Sequence, residues 1–422
     1  MGSPERHLAI FIRSLGGGGG AERAMVNLAA GIAERGVRVD LVLGRTEGNF
    51  FDEVPDTVRV VDLKGRTPLP CLPALLRDRA EARVLAPALL NLSPPWVLGR
   101  APALARYLRE ERPDAVLSAL NYTNVTALWA RALAGSKVRL VICEQNTLSV
   151  RAASESKRRL RVLPDVVRHF YPWADAIVAV SRGVADDLAG ILGLPGEAIH
   201  AIPNPLITPE LRVAAREPLD DPNFAEGAPP VVLGVGKLKT QKDFPTLLRA
   251  FAELRRERPL RLVILGEGPE RPRLEALARE LDIAGDVALP GFVDNPFAYM
   301  ARARVFALSS AWEGLPSVLI QAMACGCPVV STDCPSGPAE ILEGGSLGPL
   351  VPVSDAPALA RAIRGALDRA PSAEALRSRA DSFSVDRAVS RYLDVLFPAA
   401  DAACTTNPAP RSATTVSRPA HA

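Results

Sequence analysis

The chain has 422 residues, too many for a single core of ordinary size, so two domains are expected. It is 48% hydrophobic and 23% charged, the balance of a folded water-soluble protein, and a formal net charge of +3 is too small to argue for a nucleic-acid partner. The longest uncharged run, 314–332, is broken by Pro316, Gln321, Gly326 and Pro328, which makes it a poor match to the ~20 predominantly apolar residues of a membrane span.

In chain order, Met1-Gly2-Ser3-Pro4-Glu5-Arg6 runs straight into a strand-like segment at 7–12 with no apolar leader, so a cytoplasmic location is expected. The strand opens into five glycines, Gly16 to Gly20. Residues 21–35 then carry Met25, Leu28, Ala29 and Ile32 at helical spacing and stop at Gly36, and 37–43 is strand-like again. Strand, glycine loop, helix, strand is the opening of a doubly wound fold. Further strands are expected at 115–120, 139–143 and 176–180, whereas 67–113, rich in Pro, Leu and Arg, gives no readable period. The pattern breaks at Ile202-Pro203-Asn204-Pro205, and 206–230 reads as a linker.

A second alternation follows, with strands at 231–235, 260–265, 286–289, 305–309 and 328–332. Helices are expected at 243–256, 270–281, 296–302 and 317–325. The fold class is therefore α/β, with two Rossmann-like, doubly wound parallel-sheet domains facing across a cleft: 1–205 and 231–400. The Thr/Pro/Ala/Ser-rich end, 401–422, is expected to be disordered. The six cysteines form no C-x-x-C pair and none of the four histidines clusters with them, so buried thiols rather than metal ligands are expected.

Lysine usage is the sharpest compositional signal. Of 50 basic residues only six are lysines, and three of those fall in Gly236-Lys237-Leu238-Lys239-Thr240-Gln241-Lys242, directly after a strand. A strand end followed by a loop and a helix is where α/β folds bind anions, and an ammonium is a compact charge for phosphate oxygens. The second signal is Ser309-Ser310-Ala311-Trp312-Glu313-Gly314-Leu315-Pro316-Ser317, a loop opening onto a helix with Pro316 at its start. The free N–H groups of that first turn would face an anion, while Glu313 from the loop and Gln321 from the helix would meet hydroxyls. A sugar nucleotide carries both.

These segments resemble the retaining, GT-B-fold glycosyltransferase family 4. The pieces that match are Gly236-Lys237, Gln241-Lys242, Gly266-Glu267-Gly268-Pro269, Pro290-Gly291-Phe292, Glu313-Gly314-Leu315-Pro316 and Ala322-Met323-Ala324-Cys325-Gly326-Cys327-Pro328-Val329-Val330-Ser331. Gly18-Gly19-Gly20-Ala21-Glu22-Arg23, Val180-Ser181 and Ile202-Pro203-Asn204 match in the first half. The resemblance implies an N-terminal acceptor domain, a C-terminal donor domain and a last helix that packs back on the first. It also implies that Lys237 and Lys242 hold the donor diphosphate, Glu313 contacts the sugar, and Gly314 and Leu315 line the donor. Gln321 would meet the ribose, Phe292 and Val293 the base, and Gly17 and Gly18 would approach the phosphates. The chain departs from the family with Lys237 where arginine is common, Gln321 in place of the second glutamate of E-x7-E, and Gln145 where histidine is frequent.

There is no D-x-D pair, so no metal and no cofactor are expected, only a UDP- or GDP-linked sugar as substrate and a glycan or polyprenyl-linked acceptor. Catalysis would then rest on Lys237, Lys242, Glu313 and the helix start. A non-catalytic sugar-nucleotide binder is the alternative raised by Gln321 and Gln145. The glycine run also allows a dinucleotide-dependent oxidoreductase, but the second strand ends Leu43-Gly44-Arg45 with Asp40 inside it, not at its tip. Leu89, Leu90, Leu92, Trp96, Val97 and Leu98, with Arg77, Arg79, Arg83, Arg100, Arg106 and Arg109, admit two readings: core with a solvated face, or a peripheral contact with an anionic membrane. The run Lys157-Arg158-Arg159-Leu160-Arg161 joins that basic set. Asn121, Tyr122 and Asn146, after strand ends of the first domain, are placed where an acceptor would bind, and His169 reads as a packed or surface histidine rather than a base.

Overall fold

The computed structural model describes residues 6–16, 20–47, 50–64, 71–77, 79–90, 94–154, 158–369 and 372–399. Gly17 and Gly18 and the tail 401–422 therefore lie outside the described residues.

Among the described residues the first domain is built on a seven-stranded parallel sheet. Its strands are β1 (His7–Ile12), β2 (Arg38–Leu43), β3 (Val58–Asp62), β4 (Ala115–Ala119), β5 (Arg139–Glu144), β6 (Ala176–Ala179) and β7 (His200–Ala201), in the order β3-β2-β1-β4-β5-β6-β7. The second is a six-stranded parallel sheet, β8 (Val231–Val235), β9 (Arg261–Leu265), β10 (Val287–Gly291), β11 (Val305–Leu308), β12 (Val329–Thr332) and β13 (Leu350–Val351), in the order β10-β9-β8-β11-β12-β13. Helices cover both faces, so every residue of β1, β4, β11 and β12 is buried and these strands read as largely apolar runs. In each sheet the strand order reverses once, between β1 and β4 and between β8 and β11. Open α/β sheets bind ligands in the crevice beyond the strand ends at that reversal. The lysine cluster follows β8 and the Glu313 loop follows β11, so both lie at the second reversal, and the helix that begins at Gly20 follows β1 at the first.

The chain crosses between the domains twice, side by side. Leu206 and Ile207 donate their N–H groups to the Phe383 carbonyl at 3.0 and 3.2 Å, and Val385 N donates to Ile207 O at 3.3 Å. After the second crossing the helix Val385–Leu396 returns to the first domain. Gly31 of the helix Gly20–Ala33 makes room for it, since a Cβ there would meet Val385 Cγ1 at 2.6 Å and Val389 Cγ2 at 2.8 Å. Arg139 Nε donates to Val395 O at 3.0 Å, and Tyr392 Oη lies 3.3 Å from Cys143 Sγ.

Some expectations need correction. The stretch 206–230 is not bare linker: it contains the helix Pro209–Ala214, capped by Thr208 Oγ1 on Leu211 N at 3.4 Å. The unreadable segment 67–113 holds the helices Leu72–Arg77, Arg79–Leu89 and Ala101–Glu111 and a 3-10 turn, Trp96–Arg100. Within it Val97, Leu98 and Arg100 belong to the core; Arg100 is 2% exposed and donates to Lys64 O, and Arg45 stacks on the Trp96 ring at 3.9 Å. Cys71, Cys143, Cys325, Cys327 and Cys334 are free and buried, and burial pushes the Cys71 thiol up to about 11 and those of Cys143, Cys325 and Cys334 up to about 12.

Candidate functional site

The site is built on the loops after β8 and β11. Gly236 ends β8, and the stem of Lys242 folds back over it: a Cβ on Gly236 would meet Lys242 Cε at 3.1 Å. The 266–270 loop after β9 buttresses this turn through Leu238 N to Glu267 O at 3.0 Å and Glu270 N to Leu238 O at 3.0 Å. That close approach requires glycine, because a Cβ on Gly266 would sit 2.1 Å from Gly236 O and one on Gly268 2.4 Å from Leu238 O. The two loops at the reversal are then laced together. Ala311 N donates to Gln241 O at 2.8 Å, Gln241 Nε2 to Trp312 O at 3.0 Å, and Ser309 Oγ to Lys242 O at 2.8 Å.

At the centre Lys242 Nζ donates to Glu313 Oε1 at 2.5 Å, and Ser310 Oγ donates to the same oxygen at 2.6 Å. The lysine side chain is 17% exposed and the glutamate 7%. Next to this pair the helix Ser317–Cys325 begins after Pro316, its N-cap, and among the described residues no side chain caps its first turn. A helix N-terminus carries partial positive charge, which adds to that of Lys242 near Glu313. The first-domain helix Gly20–Ala33 begins against the same place, since a Cβ on Gly20 would lie 2.6 Å from Ser317 Oγ. Lys242, a carboxylate and two helix N-termini thus meet at the domain boundary, an arrangement suited to a ligand with both anionic and hydroxyl parts.

Lys237 is half-buried in the same loop, Gly314 and Leu315 are buried, and Phe292 beyond β10 is 58% exposed with Val293 half-buried beside it. Gln321, at 9% exposure one turn into its helix, makes no hydrogen bond to Glu313 among the described residues. The structure brings Lys242 and Glu313 together and leaves Gln321 outside their network. Residues the sequence did not single out are Ser310 on the carboxylate, and Thr147 and Ser336 on the backbone of the Glu313 loop; their short polar side chains carry no spacing signal.

Several first-domain candidates have structural duties. Asn121 Nδ2 donates to Glu144 Oε1 at 3.1 Å while its carbonyl accepts from Arg151, and Tyr122 Oη donates to Arg159 O at 2.6 Å. Both residues are buried, so neither presents a free side chain to an acceptor. Gln145 is paired amide-to-amide with Asn204 at 2.7 and 3.2 Å, which fixes the 202–205 turn to the end of β5. Behind it Glu144 is fully buried against Tyr171 Oη at 2.8 Å; burial pushes its carboxyl up to about 7 against the hydrogen bonds it accepts. His169 packs on Phe170 and Trp173. Asp40, the only acid in β2, is 0% exposed and engaged by His7 at 2.9 Å, Tyr107 at 2.5 Å and Arg59 at 2.8 Å, so it cannot serve a dinucleotide ribose.

Comparison with known proteins gives the same picture. The model "Glycosyltransferase Family 4" matches residues 18–208, and "Glycosyl transferases group 1" matches 216–383. The N-acetylgalactosamine-N,N'-diacetylbacillosaminyl-diphospho-undecaprenol 4-alpha-N-acetylgalactosaminyltransferase of Campylobacter jejuni is 31% identical over 393 residues, 92% of this chain and 99% of that protein. The lipopolysaccharide core biosynthesis glycosyltransferase LpsE of Rhizobium meliloti is 27% identical, over 82% of this chain and 84% of its own. Among solved structures, HepE of Anabaena in complex with UDP and glucose aligns with a TM-score of 0.71 at 19% identity, covering 93% of this chain and 99% of that one. The lipopolysaccharide outer core galactosyltransferase WaaB, in its apo form, aligns at 0.67 and 20%, with the same coverage. At such identities the structural likeness speaks to the fold.

Proposed function

Because the chain belongs to glycosyltransferase family 4 and has the GT-B fold, it is a glycosyltransferase, and we propose that it builds a surface polysaccharide or lipopolysaccharide by a retaining, metal-independent transfer. The donor is a UDP- or GDP-linked sugar and the acceptor a glycan or lipid-linked sugar. The observation that carries this reading is the Lys242–Glu313 pair beside an uncapped helix start at the β8/β11 reversal. The names of the similar proteins support it: the Campylobacter jejuni enzyme is named for a diphospho-undecaprenol-linked acceptor, and the HepE complex holds UDP and glucose.

In the proposed reaction Lys237, Lys242 and the N–H groups of the Ser317 turn face the diphosphate. Positive charge fixed in advance where negative charge develops is the largest usual catalytic contribution. Glu313 holds the donor sugar's hydroxyls, Phe292 and Val293 flank the base, and Gln321 contacts the ribose as a neutral partner. The acceptor oxygen bonds to the anomeric carbon on the face from which the diphosphate departs. Its proton passes to the departing phosphate oxygen, so configuration is retained without a protein nucleophile.

A peripheral contact with an anionic leaflet, where a lipid-linked acceptor resides, belongs to the same reading, and the exposed side chains of Leu90 (83%) and Leu72 (48%) support it. The test is transfer from UDP- and GDP-sugars to a polyprenyl-diphosphate-linked sugar, with and without EDTA. The anomeric configuration of the product is read by NMR. Retained configuration and an EDTA-insensitive rate are expected. An inverted product overturns the stereochemistry, loss of rate in EDTA overturns metal independence, and no thermal shift with any nucleotide sugar overturns the donor.

A further inference from the structure

Three glycines mark close contacts between the domains. A Cβ on Gly20 would stand 2.6 Å from Ser317 Oγ, one on Gly183 2.9 Å from Ser336 Oγ, and one on Gly314 2.1 Å from the Gln145 carbonyl oxygen. None of the three has a positive φ, so each is small because the opposite domain occupies the space.

At Gly314 the contact is also polar. Thr147 Oγ1 donates to Glu313 O at 3.3 Å, and Ser181 Oγ donates to Gly314 O at 2.8 Å. Ser336 Oγ, from the second domain, donates to that same Gly314 carbonyl at 2.9 Å. Ser181 Oγ in turn accepts from Val184 N at 3.3 Å as the N-cap of the helix Arg182–Leu192 and lies 2.7 Å from Ser336 Oγ, so the two hydroxyls meet over the Gly314 carbonyl. Two successive carbonyls of the Glu313 loop are therefore held by hydroxyls of the other domain. Both hydroxyls are buried: Thr147 is 3% exposed and Ser181 0%.

We infer that Thr147 and Ser181 are positioning residues for Glu313, acting through the Glu313 and Gly314 carbonyls, so that docking of the first domain adds to the hold that Lys242, Ser310 and Ser336 exert within the second. The hydrogen bonds described above for the lysine loop all come from its own domain. Capture of the diphosphate is therefore expected to depend less on the first-domain hydroxyls than orientation of the sugar does. The inference rests on the proposed function for what Glu313 touches, but not for how the loop is held.

Hydrogen–deuterium exchange on the full chain tests the holding without any donor. Thr147→Val, which preserves side-chain volume, and Ser181→Ala are each expected to speed exchange of the amides in 311–315 about tenfold. Unchanged exchange in both variants overturns the inference, whatever the donor proves to be. Kinetics with UDP-N-acetylgalactosamine test the consequence: kcat falls about tenfold, inhibition by UDP stays within about twofold, and Ser181→Thr, which keeps the hydroxyl, restores turnover. If UDP inhibition weakens as much as kcat falls, the hydroxyls shape the whole site and the inference is wrong. Faster exchange alongside a wild type that turns over no nucleotide sugar supports the positioning and removes the functional reading.

Discussion

Lys242→Met keeps most of the aliphatic stem that lies over Gly236 and removes the charge that sits 2.5 Å from Glu313 Oε1. Unit charges about 4 Å apart attract by ~4 kcal/mol at an effective dielectric of about 20, and desolvation cancels much of that. Exposed pairs net ~0.2–1 kcal/mol, whereas stripping one partner from a buried pair costs ~3–5 kcal/mol. With side chains 17% and 7% exposed, the pair lies toward the buried end of this range, and a destabilisation of about 2–3 kcal/mol is expected. Glu313→Gln should cost less, since the Ser310 hydroxyl can still donate to the amide oxygen. The double variant should recover about 1–2 kcal/mol of the summed losses, measured by urea unfolding. Turnover should not recover. Losing one preorganised charge facing the diphosphate is expected to lower kcat ~10²–10³-fold, and the double variant should be no faster than the slower single variant. A loss of kcat under about tenfold in Lys242→Met (~1.4 kcal/mol), or a double variant with wild-type turnover, would refute the assignment of Lys242 to the leaving group.

Gly314→Ala drives a methyl group into the Gln145 carbonyl, so the domains must separate; the radius of gyration by solution scattering should rise and kcat should fall at least about tenfold. Unchanged scattering would show that the seam yields locally. Phe292→Ala removes an exposed ring, so stability should stay within about 0.5 kcal/mol while donor KM rises about tenfold, as expected for a stacking contact of ~1–3 kcal/mol; an unchanged KM removes Phe292 from base binding. Glu144 keeps its proton in the fold up to about 7, whereas the unfolded chain releases it near 4.5. The folded state therefore binds more protons between those values, and stability falls as pH rises across that window, by up to about 3 kcal/mol, with no further loss above it. Glu144→Gln should flatten that slope in urea unfolding at about pH 5 and pH 7.5, and identical slopes in the two proteins would refute the argument.

Both reversal points were legible in the sequence because parallel strands covered on two faces read as apolar runs, each ending in glycine or a polar loop. The edge strand β3 was not, since Arg59 and the half-buried residues after it dilute the pattern, and β7 and β13, at two residues each, are too short to make one. Pro87 inside a helix hid the periodicity of 79–89. The lysine loop stood out through the rarity of lysine in an arginine-rich chain. The roles of Thr147 and Ser181 could not be read in the same way, because they arise from contacts 166 and 133 residues apart that exist only once both domains are folded and docked. Asn121 and Tyr122 sat at plausible strand ends, yet their side chains are used up by Glu144, Arg151 and the Arg159 carbonyl.

The return of the last helix to the first domain makes that domain discontinuous in the chain. A fragment ending before Val385 would lose Tyr392 and Val395 from the β5 neighbourhood and expose the groove beside Gly31, so such a piece should be prone to aggregate rather than fold. For anyone exchanging donor halves between relatives to change the sugar transferred, the graft has two junctions: one near Leu206 and Ile207, the other near Phe383, with the terminal helix kept from the recipient.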